Sequence, residues 1–274
     1  MSDTQAEKAQ RFRALHQRPG AFVIPNVWDG ASACVMAGLG FEALATSSSA
    51  AAATLGKLDG ELTRDEALKH AHAIIAATSL PLAADLEQGF GDRPEVVAET
   101  IRRAAAVGLV GGSIEDASGN EHAPIYAESL AVERIAAAVE AVRKLPFPFV
   151  LTARAENYLH GRADLDDTVR RLQAFERAGA DVLFAPGLPD LAAVRTICQS
   201  VTAPVNFMVG IRGHSFSVAE LADAGVKRIS LSTSLYRASV TGLYAAAREV
   251  KESGTFSYLE TIMSGKDLAG FLRS

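Results

Sequence analysis

Residues 81–107, PLAADLEQGFGDRPEVVAETIRRAAAV, hold one full unit of the pattern that decides the fold. An apolar run, 81–87, ends in acids. Pro94 then sits where a helix start tolerates proline, and a helical stretch follows to 107. Working outward, seven more short apolar runs end in polar residues and are followed by a helical segment. They are 21–26 (AFVIPN), 43–48 (ALATSS), 111–116 (GGSIED), 149–155 (FVLTARA), 181–186 (DVLFAP), 204–209 (PVNFMV) and 228–233 (RISLST). Continuous apolar runs, rather than alternating ones, mark strands buried on both faces. Helical stretches of about 10–16 residues lie between them, within the usual helix range. The stretch 63–78 opens with Thr63 as N-cap and Glu66 closing a capping box. Four helices run out through a glycine, Gly38, Gly108, Gly179 or Gly225, expected to supply a left-handed C-cap before the next strand.

Strand then helix, eight times over, is the pattern of an α/β fold of the (β/α)8 TIM-barrel type. The alternative, a doubly wound open sheet, usually has fewer strands, and no glycine-rich dinucleotide fingerprint is present. No linker rich in Gly, Ser or Pro divides the chain, so residues 1–274 read as one domain. Residues 1–18 read as an amphipathic helix and not a signal peptide. The segment 235–274 exceeds what eight units need, and should cap the barrel or contact a neighbouring subunit.

The composition sets limits on function. Apolar residues make up 49% of the 274, enough for a full core, and no run is long enough to span a membrane. A formal net charge of −5 with no basic block argues against nucleic acid and anionic membrane as partners. Cys34 and Cys198 stand alone in helix-like stretches, which suggests a reducing cytoplasm and no thiolate metal site.

In such a barrel the strand C-termini form the active-site face. The acids Asp85, Glu87 and Glu115 end neighbouring strands. Read as one strand, Asp85 and Glu87 would point the same way. Three converging carboxylates repel one another unless a cation sits among them, and all-oxygen ligation selects Mg2+ or Mn2+. The alternative is a structural ion pair with Arg154. Arg154 itself is a candidate holder of a substrate carboxylate or phosphate. Ser47, Ser48 and Ser49 stand at a strand-to-helix turn where backbone N–H groups can meet an anion, or where a serine simply caps the helix. Asn206 is a strand-end candidate for substrate contact, and His122 follows the fourth strand closely enough to titrate near the site. No strand carries a lysine, which disfavours a Schiff-base aldolase.

The segments TSSSAAAATLG (46–56), LDGELT (58–63), AADLEQGFGD (83–92), SIEDASG (113–119), LTARAENYL (151–159), AGADVLFAPGL (178–188) and PVNFMV (204–209) occur in an order that resembles the isocitrate lyase and phosphoenolpyruvate mutase superfamily. The likeness runs over residues 12–249. It implies a barrel whose last helix is swapped between subunits, in a homotetramer built as a dimer of dimers. It also implies Mg2+ held chiefly by Asp85, with Asp59, Glu87 and Glu115 acting through bound waters. A small 2-oxo acid or dicarboxylate would lie on the metal, its carboxylate near Ser47–Ser49 and its oxo group near Arg154. The shared chemistry is an enolate.

Four departures set this chain apart. The lyases carry a cysteine as general acid in the loop after strand four, where this chain reads ASGNEHAPIY (117–126) with Ala123 near that position. The mutase and hydrolase branch carries a lysine in that loop, and none follows Asp116 before Lys144 here. The lyase glutamate at the end of strand six is Pro186, and the aromatic before the strand-two serine is Ala45. The expected function is therefore Mg2+-dependent carbon–carbon lyase or decarboxylase chemistry on a small 2-oxo or 2-hydroxy acid, and not isocitrate or methylisocitrate cleavage. Ser47, Arg154 and His122 are the candidates for direct participation. The alternatives are carbon–phosphorus chemistry, or a catalytically silent 2-oxo acid binding protein.

Overall fold

A computed structural model describes residues 3–214 and 216–273. The strands are β1 (Phe22–Ile24), β2 (Asn26–Val27), β3 (Leu44–Thr46), β4 (Leu82–Asp85), β5 (Gly111–Glu115), β6 (Val150–Arg154), β7 (Val182–Phe184), β8 (Val205–Met208) and β9 (Arg228–Ser230). All pairings between them are parallel, in the order β1-β9-β8-β7-β6-β5-β4-β3-β2. β1 and β2 are two pieces of one expected run, parted at Pro25, which has no N–H to give a ladder. β1 pairs with β9 and β2 with β3, so the sheet curls into a nearly closed barrel. All eight expected runs are present as strands.

The helices are α1 (Gln5–Gln17), α2 (Gly30–Gly38), α3 (Ser48–Thr54), α4 (Arg64–Ala76), α5 (Pro94–Ala106), α6 (Glu128–Arg143), α7 (Leu165–Ala178), α8 (Leu191–Ser200), α9 (Val218–Asp223), α10 (Ser234–Ser253) and α11 (Gly265–Leu272). Thr63 and Glu66 form the expected capping box on α4, and Pro94 stands in the first turn of α5. Gly108, Gly179 and Gly225 take positive φ as expected. Gly38 does not. Gly40 turns left-handed instead, with φ 85°, because α2 runs on through Gly38. The lack of a side chain at Gly38 serves packing: a Cβ there would lie 2.4 Å from the Phe271 ring of α11.

α1 closes the N-terminal end of the barrel. It starts after Thr4, whose side chain and Glu7 cap each other; Met1 and Ser2 of the expected helix lie outside the described residues. Its apolar face, Ala9, Phe12 and Leu15, packs with Phe22, Ile24, Ala43, Ala83, Val110, Val150 and Val182. The Phe12 ring stands where a side chain on Gly111 would go, 2.7 Å from an added Cβ. With the bottom filled, the opposite end is the open one. Among the described residues no helix is long and apolar enough to cross a membrane.

Candidate active site

The strand C-termini surround a cavity of about 220 Å3, lined by Ser47, Ser48, Ser49, Asp59, Asp85, Arg154 and others, with Arg228 among them. A neighbouring cavity of about 380 Å3 shares Ser48, Asp59 and Arg154 and adds Glu87, Glu115, Glu156 and His160. Together they form one mouth.

Asp85 ends β4 at the centre of a bonded cluster. Its Oδ2 accepts from the Ser48 hydroxyl at 3.1 Å, and its Oδ1 from Arg154 Nη1 at 3.0 Å and the Ser113 hydroxyl at 3.4 Å. Arg154 Nη1 also meets Glu115 Oε2 at 3.2 Å, and its Nε donates to Glu156 Oε1 at 2.8 Å. Burial opposes the charge on Arg154, but Glu156, Glu115 and Asp85 outweigh it and hold the guanidinium well above its usual range. The ion pair weighed from the sequence is thus formed, and Glu156 joins it.

Glu156 is positioned from behind. Its backbone N–H donates to Asp116 Oδ1 at 2.8 Å, and Asp116 Oδ2 accepts from Arg171 Nη1 of α7 at 3.0 Å. Arg171 Nε reaches Asp167 Oδ2 one helical turn earlier, also at 3.0 Å. Burial raises Asp116 to about 6 even so.

Glu87 corrects the strand argument. β4 stops at Asp85, and Glu87 lies past it with φ 49°, so no pleat aligns the two. Phe90 is left-handed as well, φ 62°. Such backbone costs about 1–3 kcal/mol per residue and persists only where the surroundings impose it. Here Arg134 imposes it. Its buried guanidinium binds the carbonyls of Gln88, Gly91 and Asp92 and lies over the Tyr126 ring, whose hydroxyl donates to Asp92 at 2.6 Å.

The remaining acids are held toward their neutral forms. Burial, with the nearby charges of Asp85 and Asp59, pushes Glu87 up to about 7, and its Oε1 is buried with no hydrogen-bond partner. Glu115 is raised well above the usual range by burial, against the pull of Arg154. Asp59 is raised by burial, against a hydrogen bond from Ser48. Among the described residues no three His, Cys, Asp or Glu stand ready to share one ion directly. The donors present are all oxygen, which suits a hard cation.

Of the remaining candidates, Ser47 caps α3, its hydroxyl accepting from Ala50 N, and still lines the cavity with Ser48 and Ser49. Asn206 is buried away from the cavity lining, its Oδ1 accepting from Arg228 Nε at 2.8 Å. His122 is exposed on the loop, its backbone N–H bonded to Asn120 Oδ1, and lines neither cavity; His160 lines the outer one. Ser113, Arg171, Arg134 and Arg228 went unremarked. Arg228 was within reach of the alternation rule: it shares a strand face with Ser230, a cavity residue.

A family profile described as phosphoenolpyruvate phosphomutase matches residues 12–251. 2-Methylisocitrate lyase of Escherichia coli (strain K12) is 30% identical over 268 residues, 94% of this chain and 89% of that one. Oxaloacetate decarboxylase of Paraburkholderia xenovorans (strain LB400) is 30% identical over 258 residues, 90% of this chain and 83% of that one. A solved structure from Burkholderia cenocepacia J2315, provisionally named a lyase/mutase, superposes with TM-score 0.97 at 52% identity, covering 99% of this chain and 98% of that one.

Proposed function

The chain belongs to the phosphoenolpyruvate phosphomutase family, within the isocitrate lyase superfamily, and from that premise we propose a divalent-metal-dependent lyase or decarboxylase acting on a small 2-oxo or 2-hydroxy acid. One observation carries the reading. Asp85, Arg154 and Glu115 meet at the mouth, and the loop beside them holds no thiol. Mg2+ or Mn2+ would be held by Asp85, with Glu87, Asp59 and Glu115 around it, and would supply Lewis-acid polarisation of the substrate's oxo oxygen.

The chain's own groups do the rest. Small residues and backbone N–H groups at Ser47–Ser49 receive a carboxylate. Arg154 keeps its charge through Glu156, Glu115 and Asp85, and its fork faces the oxygen on which enolate charge develops. Protonating an enolate carbon needs an acid within reach. Tyr126 of the loop is bound to Asp92 and pushed up to about 12 by burial first and that bond second. Cys34 lies in α2, and Cys198 lies in α8 with its thiol pushed up to about 11 by burial. Oxaloacetate-type decarboxylation, or retro-aldol release of pyruvate with solvent supplying the proton, asks least of this loop. The named relatives act on 2-methylisocitrate and oxaloacetate, which supports the acid class and leaves the branch to experiment. Carbon–phosphorus chemistry gains no cation for a phosphonyl group from this loop, where Asn120 spends its Oδ1 on His122.

We place the enzyme in a reducing cytoplasm, as one barrel domain over residues 1–274 and a homotetramer whose segment 235–274 contacts a neighbour. The test is a panel of oxaloacetate, 2-alkylmalates, phosphonopyruvate and isocitrate with Mg2+. Pyruvate release is expected from oxaloacetate and from 2-methylmalate, and a longer 2-alkylmalate should release the 2-oxo acid that carries its alkyl group together with acetate. Robust glyoxylate release from isocitrate would sink the branch assignment.

A further inference from the structure

Arg228 opens β9 and turns into the barrel, where it is 6% exposed and lines the floor of the inner cavity. Its Nε donates to Asn206 Oδ1 at 2.8 Å and its Nη2 to Thr152 Oγ1 at 2.9 Å. Its Nη1 stands 3.5 Å from His16 Nε2. His16 Nδ1 is 2.9 Å from the Phe12 carbonyl, so its proton belongs there and Nε2 offers a lone pair. Every one of these partners is neutral. Among the described residues no carboxylate pairs with Arg228, whereas Arg154 has three and Arg171 two. Burial pushes its guanidinium down to about 9.

A guanidinium taken out of water without a counter-charge is held at a cost, and its remaining N–H groups stay open to an anion. Three of the acids in the mouth above, Asp85, Glu115 and Glu156, are already turned to Arg154. We infer that Arg228 is an anion-binding point at the cavity floor which takes a second carboxylate of the substrate, so that the site prefers diacids to monoacids of equal length. Asn206 and Thr152 act as positioning residues, fixing the plane of the guanidinium from two sides. The inference rests on the reading of the mouth as a 2-oxo or 2-hydroxy acid site.

Calorimetry on the intact protein with Mg2+ tests it. 2-Oxoglutarate should bind about tenfold or more tighter than 2-oxovalerate, and malate than 2-hydroxybutyrate, as a charge-assisted bond would give. Equal affinities in the wild type overturn the inference without any variant. Arg228→Gln should erase the preference and leave monoacid affinity within about threefold, less than half of a tenfold step in free energy. An equal loss for both acid types would mark Arg228 as structural and overturn it too. A metal-free arm separates this subsite from the mouth. In EDTA, malonate should raise the melting temperature of the wild type and not of Arg228→Gln, and a wild type left unprotected refutes the subsite. If malonate protects but no monoacid binds with Mg2+, the mouth reading fails and the floor subsite stands.

Discussion

Asp85 sits where three kinds of partner meet: the Ser48 and Ser113 hydroxyls, the Arg154 guanidinium, and the space toward Glu87 and Asp59. If a divalent cation binds there, Asp85→Ala should abolish the rise in melting temperature that Mg2+ gives the wild type. A variant that still responds to Mg2+ ends the idea. His16 offers a test of the barrel floor by pH. Burial first, then Arg228, pushes its ring down to about 3 from an ordinary 6.5. Below pH 6.5 the unfolded chain takes up a proton that the folded ring refuses until about pH 3. Stability should therefore fall as pH drops through that window, by up to about 1.4 kcal/mol per pH unit from this group. His16→Gln removes the titration. The stability gap between wild type and variant should narrow by about 1–2 kcal/mol between pH 7 and 5 in urea melts. A constant gap would mean the ring is not held neutral.

α1 shows how an element of local sequence becomes a wall of the site. Its Phe12 fills the barrel bottom against Gly111 and meets the His16 ring edge-on. Phe12→Ala should cost about 3–5 kcal/mol, the range for a buried aromatic whose site cannot collapse; urea midpoints that scarcely move would show the bottom to be loosely packed. The residues 1–18 announced a helix, yet nothing in their spacing told what the apolar stripe would meet, because that partner is assembled from six segments far apart in sequence. The strands themselves were legible, since runs buried on both faces need apolar residues at every position. Strand ends were legible for the same reason, and Asp85, Glu115 and Arg154 came together as read. Glu87 was found by its charge, though its left-handed backbone, imposed by Arg134 from a distant helix, lies outside any strand rule. Arg228 was passed over because it begins a strand, and a search confined to strand ends does not weigh a charge near the floor. Gly40 stood in for Gly38 because the end of α2 was set by packing on α11 as well as by local propensity.

The C-terminal part of the fold departs from the barrel. α10 runs for 20 residues without one buried side chain, beyond its start where Tyr236 meets Trp28 edge-on at 5.4 Å. Leu243 is 70% and Tyr244 63% exposed, and Phe256, Leu259, Ile262 and Met263 follow in the same state. α11 returns to its own chain, with Phe271 on Gly38 of α2. The uncovered stretch is thus α10 and the turn after it, and Leu268 and Leu272 of α11 are exposed as well. A protein that left this much apolar side chain in water would be prone to associate, and a contiguous patch of that kind marks a contact surface. A second copy of the chain is the partner that the expected assembly supplies. Leu243→Glu discriminates between a free surface and a covered one. On a free surface the change is worth within about 0.5 kcal/mol and alters nothing. In a covered one it buries a carboxylate without a partner, and assembly should fail. Light scattering of the wild type at micromolar concentration should give a tetramer, or at least a dimer, and Leu243→Glu should give a smaller particle with unchanged circular dichroism. A wild-type monomer, or a variant of unchanged mass, would show that α10 stands in solvent and that 235–274 reaches no neighbour.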